Sequence, residues 1–109
     1  MSATNPIPTP NDKITFRLAG AVVNELHGGA WPDENPTGWR CILKAPTQRI
    51  GRGITYTVTM QRRDAIDLRF QIQSIVDVLE CMTGEERGTA PLAALRTAAE
   101  RIHTACRVA

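Results

Sequence analysis

The apolar residues change period near residue 61, and this change constrains the fold more than any other feature of the sequence. From residue 54 to residue 60 apolar side chains alternate with threonines (Ile-Thr-Tyr-Thr-Val-Thr-Met), which is typical of a strand with one buried face. From about residue 62 the apolar residues recur every three or four positions, which is typical of a helix with one buried face. The sequence therefore predicts a strand followed directly by a long helix.

Two C-terminal helices are predicted, over about residues 62–83 and 90–107. Because each helix has only one apolar stripe and the turn between them is short, we expect the two to pack antiparallel. The residues that favour helix ends are Gln61 with Asp64, then Gly84, for the first helix, and Thr89 and Pro91 for the second.

Strand-like alternation occurs twice more upstream. After Lys13, apolar side chains fall on residues 14, 16 and 18, and from Gly38 to Ala45 the odd positions carry Trp, Cys and Leu. Residues 46–53 are then predicted as the loop of a β-hairpin between this second strand and residues 54–60. Residues 21–26 fit either a continued strand or a short helix closed by Gly28, and the pair of valines in this segment favours the strand.

Strands followed by helices predict an α+β fold. We expect a small antiparallel sheet of about three strands in residues 13–60, packed against the C-terminal two-helix hairpin. At 109 residues the chain has the length of one domain, here 13–109, preceded by a proline-rich tail (1–12) that is predicted to be disordered. Trp31, in a turn-rich loop, is predicted to fold onto the core. The predicted core consists of Ile14, Phe16, Leu18, Trp39, Cys41, Leu43, Tyr56, Val58, Leu68, Ile72, Ile75, Leu79, Leu95 and Ile102.

Charge is distributed unevenly along the chain. Residues 37–63 contain six basic residues and no acidic one, whereas the remainder contains eleven acidic and seven basic residues, giving a net charge of +2. The six basic residues are Arg40, Lys44, Arg49, Arg52, Arg62 and Arg63. On the predicted hairpin, Arg49 and Arg52 lie at the tip and Arg40 and Lys44 on the outward face of the first strand. Because guanidinium groups pair with carboxylates and phosphates, the predicted partner is an acidic protein surface or a nucleic acid. A charged edge that only prevents pairing with other sheets is the alternative.

The sequence offers little for catalysis or metal binding. Its two serines are Ser2, in the tail, and Ser74, in the middle of a helix. His103 and Cys106 are three residues apart on one helix, but two ligands do not make a structural zinc site, and a cysteine on a packing stripe is not an activated nucleophile. Phosphate-loop and dinucleotide motifs are absent from the sequence. We therefore expect no enzymatic activity, no cofactor and no metal.

The cysteines and the N-terminus together predict a reduced, cytoplasmic protein. Cys81 and Cys106 fall near the ends of helices that run in opposite directions, about 20 Å or more apart, which is too far for a disulfide. The chain has no apolar stretch long enough to span a bilayer, and its first residues do not resemble a secretory signal. No contact with a membrane is expected.

Ile66 and Phe70 lie on the side of the first C-terminal helix that faces away from its main apolar stripe. A helix with apolar residues on two sides is covered on both. The second cover is either the chain's own sheet or a second copy of the protein in a homodimer.

The segment 54–107, a strand followed by two helices, resembles the ribbon-helix-helix family of DNA-binding proteins. In that family two strands pair across a dimer and present polar residues to the major groove. The resemblance implies that Thr55, Thr57 and Thr59 face the bases and that residues 61–63 lie near the DNA backbone. The chain departs from the family in its longer first helix, its longer turn, and the upstream strand predicted at the edge that the partner strand needs.

We expect a small, non-catalytic binding protein that acts on a partner through its basic hairpin. Compact chains of this kind are typical of accessory proteins of phages and mobile elements, including inhibitors of host systems. A dimeric DNA-binding regulator is the first alternative, and a structural subunit of a larger assembly, joined through Ile66 and Phe70, is the second.

Overall fold

The chain folds into a three-stranded antiparallel sheet covered on one face by helices, which confirms the predicted α+β class. The computed structural model describes residues 9–82, 84–88 and 90–107. The sheet order is β1-β3-β2, with β3 in the centre. The elements are β1 (Lys13–Ala19), α1 (Gly20–His27), α2 (Trp31–Glu34), α3 (Pro36–Leu43), β2 (Thr47–Ile50), β3 (Gly53–Gln61), α4 (Arg62–Cys81), α5 (Gly84–Arg87) and α6 (Leu92–Arg107).

The core lies between one face of the sheet and the helices. Phe16 of β1 is paired with Val58 of β3, and directly opposite residues of antiparallel strands share a face. The alternating apolar residues of β1 and β3 therefore point to the same side, where α4 and α6 bury their stripes against them. Fully buried members of this core include Leu18, Val58, Leu68, Ile72, Leu95 and Ile102.

Helices α4 and α6 pack together and run antiparallel, as predicted. The first residue of α4, Arg62, reaches the carbonyl of Cys106 near the end of α6 at 3.0 Å, and Glu80 near the end of α4 pairs with Arg96 near the start of α6 at 2.8 Å. Cys81 and Cys106 therefore lie at opposite ends of the pair, and all three cysteines are free thiols.

The predicted strand from Gly38 to Ala45 is wrong, because this segment belongs to helix α3. Asn35 caps the helix by accepting a hydrogen bond from the backbone N–H of Gly38 at 2.9 Å, and Pro36 occupies its first position, where proline is favoured. The buried residues Gly38 and Ile42 are four positions apart. Of the predicted core residues here, Trp39 and Cys41 are half-buried and Leu43 is exposed.

Two further assignments differ from the sequence-based expectation. Residues 21–26, for which a strand was favoured, form helix α1, in which Val22, Val23 and Leu26 are buried. The predicted loop 46–53 instead contains strand β2 and a two-residue turn, Gly51–Arg52. Gly51 has a φ of +61°, as the first central position of a type II′ turn requires. In α1, burial of Val22 and Val23 in the core outweighs the preference of valine for strands.

The ends of the long helices also differ slightly from prediction. Helix α4 ends at Cys81, and Gly84 begins the short α5 instead of closing α4. Gln61 takes the N-cap position of α4, but its side chain makes no capping bond. The first two backbone N–H groups of α4 are instead bound by the carbonyls of Asp12 and Pro10. Residues 9–12 of the predicted tail therefore form an ordered turn on α4, while residues 1–8 and the predicted cap Thr89 lie outside the described residues.

The side chain of Trp31 is 1% exposed, which confirms its predicted place on the core. Its indole N–H donates to a carboxylate oxygen of Asp67 at 2.9 Å, and the amide of Asn35 donates to the same oxygen at 3.0 Å. A Cβ at Gly38 would lie 2.8 Å from the Trp31 ring, so only glycine fits there. This network fixes α2 and α3 against the first turns of α4.

Candidate functional site

The β2–β3 hairpin combines basic and apolar side chains on an exposed surface. Arg49 and Ile54 are cross-strand partners and share the face of the sheet toward the helices, while Ile50 points to the other face. Arg52 lies in the turn, and every residue from 46 to 54 is exposed. Ile50 and Ile54 retain 53% and 45% of their accessible surface, which is unusual for isoleucine. The predicted hairpin, with residues 38–45 as its first strand and Arg49 at its tip, is wrong: the first strand is β2, which contains Arg49, and Arg52 alone lies in the turn.

The C-terminal end of α3 continues this surface. Arg40 and Lys44 are one helical turn apart and both exposed, and Leu43 between them is 63% exposed. Lys44 precedes Thr47 by three residues, so the two Cα atoms lie at most about 11 Å apart. The carbonyl of Pro46 accepts a hydrogen bond from the N–H of Thr57 at 3.0 Å, which holds the connection against β3. We call these residues the basic–apolar surface: Arg40, Leu43, Lys44, Arg49, Ile50, Arg52 and Ile54.

Arg62, predicted as a partner-binding residue, does not belong to this surface. It is 5% exposed, and its guanidinium donates to the carbonyls of Cys106 and Thr9 and to the carboxylate of Asp12 at 2.9–3.1 Å. These bonds join the N-terminal turn, the start of α4 and the end of α6. The side chain is buried because it falls on the packed side of α4, one turn before Ala65.

The carboxyl of Asp12 has a lowered pKa. The main cause is the backbone N–H of Thr9, followed by the Thr9 hydroxyl, and the Arg62 guanidinium acts in the same direction. A group whose pKa is depressed in the folded state stabilises the fold above its unfolded value of 3.8 and loses that contribution as the pH falls through the folded pKa.

We therefore expect Asp12→Asn to lower the free energy of unfolding relative to the wild type by a constant amount at pH 5–7. The difference should shrink as the pH falls below about 4. Urea unfolding at several pH values measures it. A difference independent of pH from 3 to 7 would show that the charge of Asp12 is not what stabilises the turn.

Arg63 lies at the other end of β3 from the hairpin turn. Strand β3 is nine residues long, so its two ends lie about 26 Å apart at 3.3 Å per residue. Its Nε donates to the side chain of Gln61 at 2.9 Å. Of the six predicted partner-binding residues, Arg40 and Lys44 therefore lie at or just after the end of α3 and Arg49 and Arg52 in the following hairpin, whereas Arg62 and Arg63 lie at the start of α4.

The outer face of the sheet is a second polar surface. Arg17 lies opposite Thr57, and Thr15 lies opposite Thr59 with their hydroxyls 2.8 Å apart. All eleven acidic residues of the chain lie outside the three strands, so Lys13 and Arg17 are the charges of this face. The alternation after Lys13 in the sequence points Arg17 outward, but it does not connect Arg17 to β3, because strand pairing is a long-range property.

Strand β3 cannot pair with a second copy of itself as the strands of ribbon-helix-helix proteins do. β1 occupies one of its edges and β2 occupies the other. Thr55, Thr57 and Thr59 do share the outer face, but they present it from the centre of a sheet.

His103 and Cys106, the pair considered for chemistry, lie near the C-terminal end of α6. His103 is exposed and Cys106 half-buried, and burial raises the pKa of the Cys106 thiol against the opposing charges of Arg62 and Arg69. A raised pKa lowers the fraction of reactive thiolate at neutral pH. Within residues 9–82, 84–88 and 90–107, no three His, Cys, Asp or Glu side chains lie close enough to hold a metal ion.

A shallow groove runs between α4 and α6. Basic Arg69 and Arg96 line it together with acidic Glu80 and Glu100 and with His103. Because Arg96 is already paired with Glu80 and both signs of charge are present, the groove favours neither an anion nor a cation.

Comparisons with protein-family models, curated proteins and solved structures gave no match to this chain. Among the described helices, none is both long and apolar enough to cross a membrane.

Proposed function

We propose that this chain is a non-catalytic binding protein whose basic–apolar surface docks on an acidic surface of a partner protein. The proposal rests on one observation: Leu43, Ile50 and Ile54 are exposed, and they lie among four basic residues in the continuous segment 40–54. Protein interfaces combine apolar anchors with arginine in this way. Phosphate contacts, in contrast, gain nothing from exposed isoleucines.

The two kinds of side chain contribute differently. Burying a fully exposed isoleucine or leucine contributes about 1.5–3 kcal/mol, so about 1 kcal/mol remains for each of these half-exposed residues. The basic residues accelerate encounter with an acidic surface and discriminate against basic ones. We therefore expect the affinity to depend on both the apolar and the basic side chains, and the association rate constant to depend mainly on the basic ones. The chain would act as accessory proteins of phages and mobile elements do, including inhibitors of host systems, by covering a surface of its target.

We expect the double substitution Arg49→Glu/Arg52→Glu to reduce recovery of the partner by at least about tenfold. The measurement is affinity capture on the immobilised full chain, followed by titration of each captured protein. The matched control is Lys13→Glu/Arg17→Glu, which reverses the same number of charges on the outer face of the sheet. A partner that binds the hairpin variant as well as the wild type, or that is lost only in the control, would contradict the proposal.

Nucleic acid is the second candidate partner, and the acid-free outer face of the sheet favours it. Fluorescence anisotropy of a labelled random duplex, titrated at about 50 and 200 mM salt, separates the candidates. A protein-directed surface predicts no saturable binding at the higher salt. Saturable, steeply salt-dependent binding that is lost in Lys13→Glu/Arg17→Glu or in Arg49→Ala/Arg52→Ala would instead assign the chain to nucleic acid.

A further inference from the structure

Helix α4 has an exposed apolar strip on the side opposite the core. Phe70 is 62% exposed and Ile66, one turn earlier, is 38% exposed, while Leu68 and Ile72 on the opposite side are fully buried. At 100° per residue, Ile66, Phe70 and Asp77 lie within about 40° of one another. This strip faces away from the sheet and shares no residue with the basic–apolar surface.

The charges at the two ends of the strip are opposite and equidistant from its centre. Arg63 lies seven residues before Phe70 and Asp77 seven residues after it, each about 10.5 Å away along the helix axis. Both side chains are exposed. Their side-chain hydrogen-bond partners are neutral: Arg63 donates to Gln61, and Asp77 accepts from Gln73. In the described part of the chain, neither forms a salt bridge.

We propose that a second copy of this chain docks on α4, antiparallel, about a two-fold axis at Phe70. In such an isologous contact the residue n positions after Phe70 faces the residue n positions before it. Arg63 then meets the partner's Asp77, and the same pair forms again on the other side of the axis. The two Phe70 rings pack together at the centre.

The residues between the centre and the ends of the strip also match in this antiparallel contact. Ile66 faces Ser74 of the partner subunit, four residues on either side of the axis. The hydroxyl of Ser74 already donates to the carbonyl of Phe70 in its own helix at 2.9 Å, so it needs no partner in the contact and does not oppose apolar packing. A parallel contact would instead place Arg63 against Arg63 and Asp77 against Asp77.

The strip is short, and we expect weak association. A contact limited to residues 63–77 of two helices falls at the low end of specific interface sizes. The dimer should therefore have a dissociation constant of about 10–100 μM. Because the strip faces away from the sheet, both basic–apolar surfaces would remain accessible in the dimer.

The test is sedimentation velocity of the full chain at about 10–500 μM in low salt, where exposed charges are screened least. The wild type should associate with increasing concentration. Arg63→Asp and Asp77→Arg should each weaken association at least about tenfold, because each creates two like-charge pairs. Arg63→Asp puts a carboxylate in the first turn of α4, where the helix dipole favours it, and position 77 is exposed, so both variants should fold, which circular dichroism checks.

A mixture of the two variants gives the sharpest result. In a one-to-one mixture the introduced carboxylate at position 63 faces the introduced guanidinium at position 77, while the native pair is restored on the other side. The mixture should associate as the wild type does. A wild type that stays monomeric at the highest concentration, or folded variants that remain apart when mixed, would overturn the proposal.

Discussion

Replacing Arg62 by alanine is expected to lower the free energy of unfolding by about 3 kcal/mol. The guanidinium is buried and donates to two backbone carbonyls, and alanine can make neither bond. Its loss also releases the N-terminal turn that holds the first N–H groups of α4. Urea unfolding followed by circular dichroism at pH 7 measures the difference.

The neighbouring substitution Arg63→Ala is the matched control. It removes the same side chain one residue later, but from an exposed site where the guanidinium donates to the side chain of Gln61, so it should change stability by less than about 0.5 kcal/mol. Equal effects of the two substitutions would contradict the structural role assigned to Arg62.

Trp31→Ala is expected to cost about 4 kcal/mol, the largest effect of a single substitution that we anticipate. The ring is buried against Gly38, and no other side chain in the short α2 helix replaces it. Removing it leaves a cavity and frees one carboxylate oxygen of Asp67 from its indole donor. The same urea experiment measures the loss.

Two variants make the Trp31 result specific. Trp39→Ala removes an equally large side chain that is only half-buried, with its ring 6.0 Å from that of His27, and should cost clearly less. Trp31→Phe keeps much of the ring and removes the N–H, so it should cost about 1–2 kcal/mol. A Trp39→Ala variant less stable than Trp31→Ala would show that α2 does not anchor the core as described.

The sequence allowed prediction of those elements whose apolar pattern is long. The alternation at 54–60 and the stripe after residue 62 correctly predict β3 and α4, because each pattern repeats several times. Helix α3 was missed since eight residues contain only two buried positions, and the Trp39–Cys41–Leu43 alternation there is coincidental. The signal that identifies α3 is Asn35 followed by Pro36, an N-cap and a first-turn proline.

Strand β2 carries no apolar pattern because all four of its residues are exposed. What identifies it is its pairing with β3, which a local pattern does not contain.

The candidate site was predicted in part for similar reasons. Charge clustering groups Arg49 and Arg52, which the structure places in one hairpin, in β2 and in the turn after it. It did not separate Arg62 from Arg63, because charge alone does not reveal burial. The helical period does separate them: Arg62 lies three residues before the buried Ala65, on the packed side of α4. The exposure of Ile54, on the face of the sheet toward the helices, follows from where the helices end, and that of Ile50 from the uncovered outer face; both are tertiary properties.

The two proposed surfaces share no residue. The basic–apolar surface belongs to the hairpin and the end of α3, and the self-association strip to the outward side of α4. A dimer through α4 would raise the avidity of the hairpins for a partner that carries two acidic sites. Phe70→Ser should therefore leave the affinity for a single acidic site unchanged.

The most direct test of the proposed function is charge compensation between the hairpin and its partner. Cross-linking first identifies the acidic residues of the captured protein that lie near Arg49 and Arg52. These residues are then changed to arginine. The binding of the altered partner is measured by titration against both the wild type and Arg49→Glu/Arg52→Glu. Docking through the basic–apolar surface predicts that the altered partner binds the wild type weakly and the hairpin variant at least about tenfold more tightly. An altered partner that binds the wild type unchanged, or that does not recover affinity for the variant, would contradict docking through this hairpin.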